Sequence, residues 1–136
     1  MRLWHEKLLK HIPRQQLLGQ HRECCALRGA GWGKPHATVN YVFDHPKEWL
    51  YCYHLKVMQE MLNRGYTPDL IWIDMQYQGK NLPRIEYTKE TFPDISELNK
   101  KLQQTVYPEH DDIYLICCLK NLASKGIHIS KENLYA

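Results

Sequence analysis

The sequence predicts a mostly α fold, a compact single domain over residues 1–136 with three main helices joined by irregular loops. Three observations predict it. Apolar residues recur at three- and four-residue spacing in three separate stretches. Prolines and glycines stand at the edges of those stretches, where helices start and stop. The other apolar runs, 38–43 and 70–73, are short and isolated, which is too little for a stable sheet.

Pro13 suits the first helical position, where the missing N–H costs nothing, and opens the first helix. Leu17, Leu18, His21, Cys24 and Cys25 form its apolar stripe, with Gln15, Gly19, Arg22 and Glu23 off it. Gly29, Gly31 and Gly33 then break the pattern, so 28–35 reads as a flexible basic loop. The β-branched and aromatic run from Thr38 to Phe43 reads as a strand or an extended lead-in. Asp44-His45-Pro46 starts a second helix that runs to about Arg64. Leu50, His54, Val57, Met61 and Leu62 are its inner stripe, and Gly65 caps its end. Residues 67–93 hold several prolines around Leu70-Ile71-Trp72-Ile73 and read as irregular. A short helix is expected from Ser96 to about Gln104. Pro108 starts the third main helix, whose positive N-terminal end suits Glu109, Asp111 and Asp112. Ile113, Ile116, Cys117 and Leu119 fill it, and Gly126 ends it.

Composition removes several classes of protein. With 43% apolar and 24% charged residues, the chain is too hydrophobic to stay disordered. It has no apolar run long enough to span a bilayer, and its first residues lack the apolar core of a secretory signal. A cytoplasmic location is the default expectation. Cys24, Cys25, Cys52, Cys117 and Cys118 are odd in number and contain no C-x-x-C, so buried free thiols are expected rather than a zinc knuckle. Charge is uneven along the chain. Residues 1–66 carry ten Lys/Arg against five Asp/Glu, whereas 67–136 carry eight against ten. A basic N-terminal half is what a phosphate-binding face needs.

The segment from Arg14 to Glu23 is the strongest candidate for chemistry. Arg22 offers a fork for phosphate, and Glu23 can act as a general acid or base or stabilise a developing cation. The plain alternative is a solvated helix face. Two functional classes follow from these residues themselves: a non-catalytic nucleic-acid-binding module, and a metal-independent ribonuclease using Arg14 and His21. A metal site is not expected. His21 with Glu23, and His110 with Asp111 and Asp112, are too closely spaced to share a helical face, and His54 on its apolar stripe reads as a hydrogen-bonded core residue.

The stretch Gln15-Gln16-Leu17-Leu18-Gly19-Gln20-His21-Arg22-Glu23 resembles the first-helix motif, Q-H-L-x-x-E-x-R-E, of the pyrimidine dimer DNA glycosylases of the phage endonuclease V type. Met61-Leu62-Asn63-Arg64-Gly65-Tyr66 is similar to that family's L-K-R-G-F helix end, and Tyr107-Pro108-Glu109-His110 to its Y-I-P-H-E element. The final Tyr135-Ala136 matches as well, whereas 67–104 matches poorly. The resemblance implies a bifunctional DNA glycosylase and AP lyase acting on damaged bases in double-stranded DNA, with no cofactor and no membrane. Its nucleophile is the N-terminal α-amine, here that of Met1, which Arg2 should protect from removal. The essential glutamate falls on Glu23, the neighbouring DNA-binding arginine on Arg22, the motif's first glutamine on Gln15, and the family's second-position arginine on Arg2. Gln16 replaces a histidine, His21 replaces an aromatic residue, and Ser124-Lys125-Gly126-Ile127-His128 stands where the family has W-Y-K-Y-Y. Arg14, Arg28, Trp32 and Lys34 complete the expected DNA-binding set, with Trp32 as a wedge or as a plain hydrophobic plug.

An α-amine suits this chemistry. Its ordinary pKa, about 7.7–8.0, lies some two and a half units below that of lysine, so a useful fraction is neutral without burial.

Overall fold

The structure is a computed structural model and describes residues 2–29 and 39–134. It has four α-helices: α1 (Arg14–Gly29), α2 (Lys47–Asn63), α3 (Ile95–Gln103) and α4 (Asp112–Ser124). Single 3-10 turns stand at Glu6–Leu8, Asn40–Asp44, Leu70–Ile73 and Lys131–Leu134, and the described residues contain no strand. No helix among them is long and apolar enough to cross a membrane.

The helix ends follow their local chemistry. Pro13 accepts the first bond of α1, from the Leu17 N–H at 3.1 Å. Gly65 and Gly126 take positive φ, 86° and 79°, just past α2 and α4, a conformation that glycine adopts without a Cβ clash. The reversals are closed by Tyr66 N–H to Met61 C=O at 2.8 Å and Ile127 N–H to Leu122 C=O at 3.0 Å. Asp94 and Asp111 are the N-caps of α3 and α4, accepting from Ser96 N–H at 2.9 Å and Tyr114 N–H at 2.8 Å.

The helix α2 packs against α1 on one side and α3 on the other. Leu17, Leu27, Leu50, Tyr53, Val57, Tyr107, Leu115 and Leu122 are buried in one cluster. The segment before α1 belongs to that cluster, through Leu3, Trp4, Leu8, Leu9 and Ile12. Arg64 donates to the Ile12 and Leu9 carbonyls at 2.8 and 3.1 Å, and the Glu6 carboxylate pairs with Lys56 and accepts the Val106 N–H. Leu3, Trp4, Leu8, Leu9 and Ile12 are therefore core, and their segment is held by side chains from distant parts of the chain.

Six details differ from expectation. The first helix runs through Gly29, because Arg28 turns inward instead of opening a loop. Residues 40–44 form a 3-10 turn, not a strand, with Val39 and Val42 buried three residues apart. The apolar run Leu70–Ile73 is likewise a 3-10 turn, with Asp69 accepting from the Ile71 N–H. The last main helix begins at Asp112, since Pro108 to His110 forms a turn first. Its buried face is Leu115, Cys118 and Leu122, whereas Ile113, at 74% exposed, Ile116 and Cys117 face outward. The run 113–119 is apolar nearly all round, so two stripes fit its spacing. The choice is made by Tyr114, whose hydroxyl donates to the Leu3 carbonyl and fixes the helix rotation. Leu62 is also exposed, because only its neighbour Met61 faces the core. All five cysteines are free thiols.

Candidate active site

The start of the chain is held by a buried amide. Gln20 of α1, 2% exposed, donates through Nε2 to the Arg2 carbonyl at 3.1 Å. Its Oε1 accepts from the Trp4 N–H at 2.6 Å and from the Tyr53 hydroxyl at 3.0 Å. Tyr53 also donates to the Trp4 carbonyl, while Tyr114 holds Leu3 from α4. Burial pushes the Tyr53 phenol far above its ordinary pKa, and that of Tyr114 to about 12, so both remain donors. Side chains from α1, α2 and α4 thus fix residues 2–4.

These residues border a cleft of about 350 Å³. Helix α1 supplies Gln16, Gly19, Gln20 and Glu23 at positions i, i+3, i+4 and i+7, one face of the helix. Arg2 and Trp4 come from the N-terminal segment, and Asn121 and Lys125 from the end of α4. The Arg2 guanidinium stands 5.9 Å from the centre of the Tyr114 ring. Arg22 is exposed, and its guanidinium lies over Gly19, where an added Cβ would be 3.7 Å from Nη2. Arg2 and Lys125 are the two cations and Glu23 the one acid among the residues that line the cleft.

Three acceptor oxygens in this cleft are buried without a hydrogen-bond donor among the described residues: Gln16 Oε1, Glu23 Oε2 and Asn121 Oδ1. Buried acceptors are almost always paired in folded proteins, so three in one cleft mark a place for a donor-bearing group. A carboxylate with one oxygen free of donors can stabilise positive charge developing beside it.

The expected site residues divide. Arg2 and Glu23 line the cleft, with Arg22 at its rim. Arg14 and Gln15 are exposed in the first turn of α1, and Arg14 lies over the Tyr66 ring at 5.5 Å. Met1, Trp32 and Lys34 fall outside the described residues. Arg28 is a correction. It is 8% exposed, and its four terminal N–H groups serve His54 Nδ1 at 2.9 Å and the carbonyls of Trp72, Asp74 and Tyr77 at 2.8, 3.0 and 3.1 Å. It ties α1 and α2 to the 72–77 segment and is not placed to grip a phosphate. The enclosed cavity beside it holds about 20 Å³, room for one water.

His21, Cys25 and His54 bring ligand-type atoms within 4.8 Å of one another. Arginine can only donate, so Arg28 places the His54 proton on Nε2, which donates to His21 Nδ1 at 2.8 Å. Burial, reinforced by Arg28 and His21, lowers the His54 pKa to about 2, and burial pushes the Cys25 thiol up to about 11. The three form a neutral hydrogen-bond chain rather than a set of free ligand atoms. His54 is the hydrogen-bonded core histidine its apolar stripe predicts. His110 is buried and stacked on His5 and Tyr114, while Asp111 caps α4.

Sequence reasoning missed Gln20, Asn121 and Lys125. Lys125 lies in the short stretch where the resemblance broke down, which was a signal. Gln20 stands where the motif has its first glutamate, a signal as well, whereas Asn121 carried none, because an uncharged amide in a helix declares its role only through its partners.

The profile described as pyrimidine dimer DNA glycosylase matches residues 1–74, which contain Arg2, all of α1 and all of α2. No curated protein and no solved structure matches the chain.

Proposed function

The chain belongs to the pyrimidine dimer DNA glycosylase family, and from that membership we propose that it excises damaged bases from double-stranded DNA and then cleaves the strand as an AP lyase. The observation that carries this reading is the free Glu23 Oε2 in a cleft that Arg2, one residue from the chain's start, also lines.

In this mechanism the α-amine of Met1 attacks C1′ of the damaged nucleotide. The N–C1′ bond forms as the glycosidic bond breaks, and the base leaves with a proton. The Glu23 carboxylate, close to C1′, stabilises the positive charge that develops there. The amine adduct opens to a Schiff base. Loss of a C2′ proton then expels the 3′ phosphate by β-elimination, with Glu23 moving protons. Arg2 and Arg22 grip the phosphates beside the lesion. Arg14, Gln15, Trp32 and Lys34 extend the DNA contact, with Trp32 filling the space that a displaced base leaves.

Borohydride trapping tests this. Protein with a native N-terminus is mixed with duplex carrying an abasic site and, separately, with UV-irradiated duplex. The expected result is a covalent adduct on Met1 by peptide mass with both substrates, lost on acetylation of the amine and weakened in Glu23→Gln. Binding to both substrates without any adduct would overturn the reading and leave a non-catalytic module.

A further inference from the structure

Asn121 has no part in the mechanism above, yet its Oδ1 is buried in the cleft without a donor, as is Gln16 Oε1. The two line the cleft from different elements, Gln16 from the first turn of α1 and Asn121 from the last turn of α4. Glu23 stands seven residues beyond Gln16, about 10 Å farther along the helix. An oxygen so far from the carboxylate serves a different part of whatever enters. The space, about 350 Å³, falls in the range that encloses a small molecule whole. Its lining also limits what that part can be. Arg2 and Lys125 in the same wall disfavour a cation. Acceptors without donors disfavour a phosphate, whose oxygens also only accept. What remains is a neutral group that carries N–H or O–H donors. The terminal torsions of Asn and Gln are soft, so each oxygen can turn out of the wall toward such a group.

We infer that Asn121, with Gln16, is a specificity-determining residue that accepts a hydrogen bond from an edge N–H of the damaged base. The inference rests on the proposed function, which puts C1′ of the damaged nucleotide beside Glu23. Within a DNA strand the phosphates only accept and the deoxyribose has no free hydroxyl, so the bases alone carry neutral donors. Damage at the C5–C6 bond of a pyrimidine leaves its N–H edge intact. In an intact pair that edge faces the partner base. The hydrogen bonds to Asn121 and Gln16 therefore form only once the damaged base has left its pair, and they offset part of the cost of unpairing. Glu23 keeps its role at the sugar, while the two amides act on the base alone.

The test uses the full chain with its native N-terminus, as wild type, Asn121→Leu, Asn121→Ala and Asn121→Asp. The readout is the single-turnover rate of borohydride trapping on UV-irradiated duplex divided by the rate on duplex carrying an abasic site. The irradiated duplex must give up a base first, whereas the abasic duplex has none to give. Asn121→Leu and Asn121→Ala should lower the ratio by about tenfold, the size of one lost hydrogen bond, with abasic trapping within about twofold of wild type. Asn121→Asp keeps an acceptor and should hold the ratio within about threefold, since its charge repels the phosphates of both duplexes alike. Asn121→Ala suits a helix and adds no bulk, so it keeps the test decisive where Asn121→Leu fails to fold. An unchanged ratio in the apolar variants, or an equal loss on both duplexes, overturns the inference and leaves the proposed function standing. If wild type forms no adduct on either duplex, the proposed function is wrong. The inference then stands or falls on equilibrium binding: the apolar variants must narrow the wild-type preference for irradiated over abasic duplex, and an unchanged preference overturns it.

Discussion

Glu23 and Arg28 lie five residues apart on one helix and have opposite relations to their surroundings. Glu23 faces a cleft and keeps one oxygen without a donor. Arg28 faces the roughly opposite side, and each terminal N–H has an acceptor. A charge whose hydrogen bonds are complete holds the fold together, and one left incomplete stays open to a further partner. Every prediction below sharpens or breaks that contrast.

The largest expected effect is on activity. Glu23→Gln should reduce base release and strand cleavage on the order of 10²–10⁴-fold, the span of a lost general acid or base. Its unfolding free energy should not fall, because no partner in the described fold depends on the second oxygen. Loss of stability in denaturant titration, with activity intact, would reverse the roles assigned to the two faces.

Acid should act on the satisfied side. Burial holds the folded-state pKa of His54 at about 2 and of His110 at about 3, against about 6.5 unfolded. Below pH 6.5 the unfolded chain binds protons that the folded chain refuses, so stability falls with pH until the folded values are reached. Between pH 7 and 5 the loss should be about 2 kcal/mol for each histidine. A flat denaturant midpoint across that range would show that neither is held neutral.

Arg28→Ala leaves His54 and three carbonyls without their donor and should cost about 3 kcal/mol of stability. The fraction that remains folded at low temperature should bind DNA as wild type does. Weakened binding with unchanged stability would restore Arg28 to the DNA-binding set. The smallest effect is Tyr53→Phe, which removes one buried donor shared by Trp4 and Gln20. About 1 kcal/mol is expected in denaturant titration, with slower trapping as residues 2–4 loosen.

The two sides also differ in how far the sequence revealed them. The helices and their ends were legible because Pro13, Pro46, Gly65 and Gly126 act on the backbone locally, whatever lies nearby. That Arg22 and Glu23 share one helix was legible through a motif within it. The rotation of α4 was not, because nearly every side chain in 113–119 is apolar and a contact with Leu3 decides which face turns in. The inward turn of Arg28 was equally hidden. Its partners are carbonyls of 72–77, and a carbonyl leaves no trace in residue identity. The run 38–43, read as a strand or an extended lead-in, gives a 3-10 turn at Asn40–Asp44, because β-branched residues three apart, Val39 and Val42, also suit a single tight turn packed on the core.

The hold on the first residues bears on how the protein comes into being. Tyr114, which grips the Leu3 carbonyl, is made 111 residues after it. A chain growing on the ribosome has its opening segment exposed long before α4 emerges to close over it. The cleft between residues 2–4, α1 and α4 thus forms only once α4 has emerged, and a fragment ending before α4 would leave Glu23 without the wall that Asn121 and Lys125 supply.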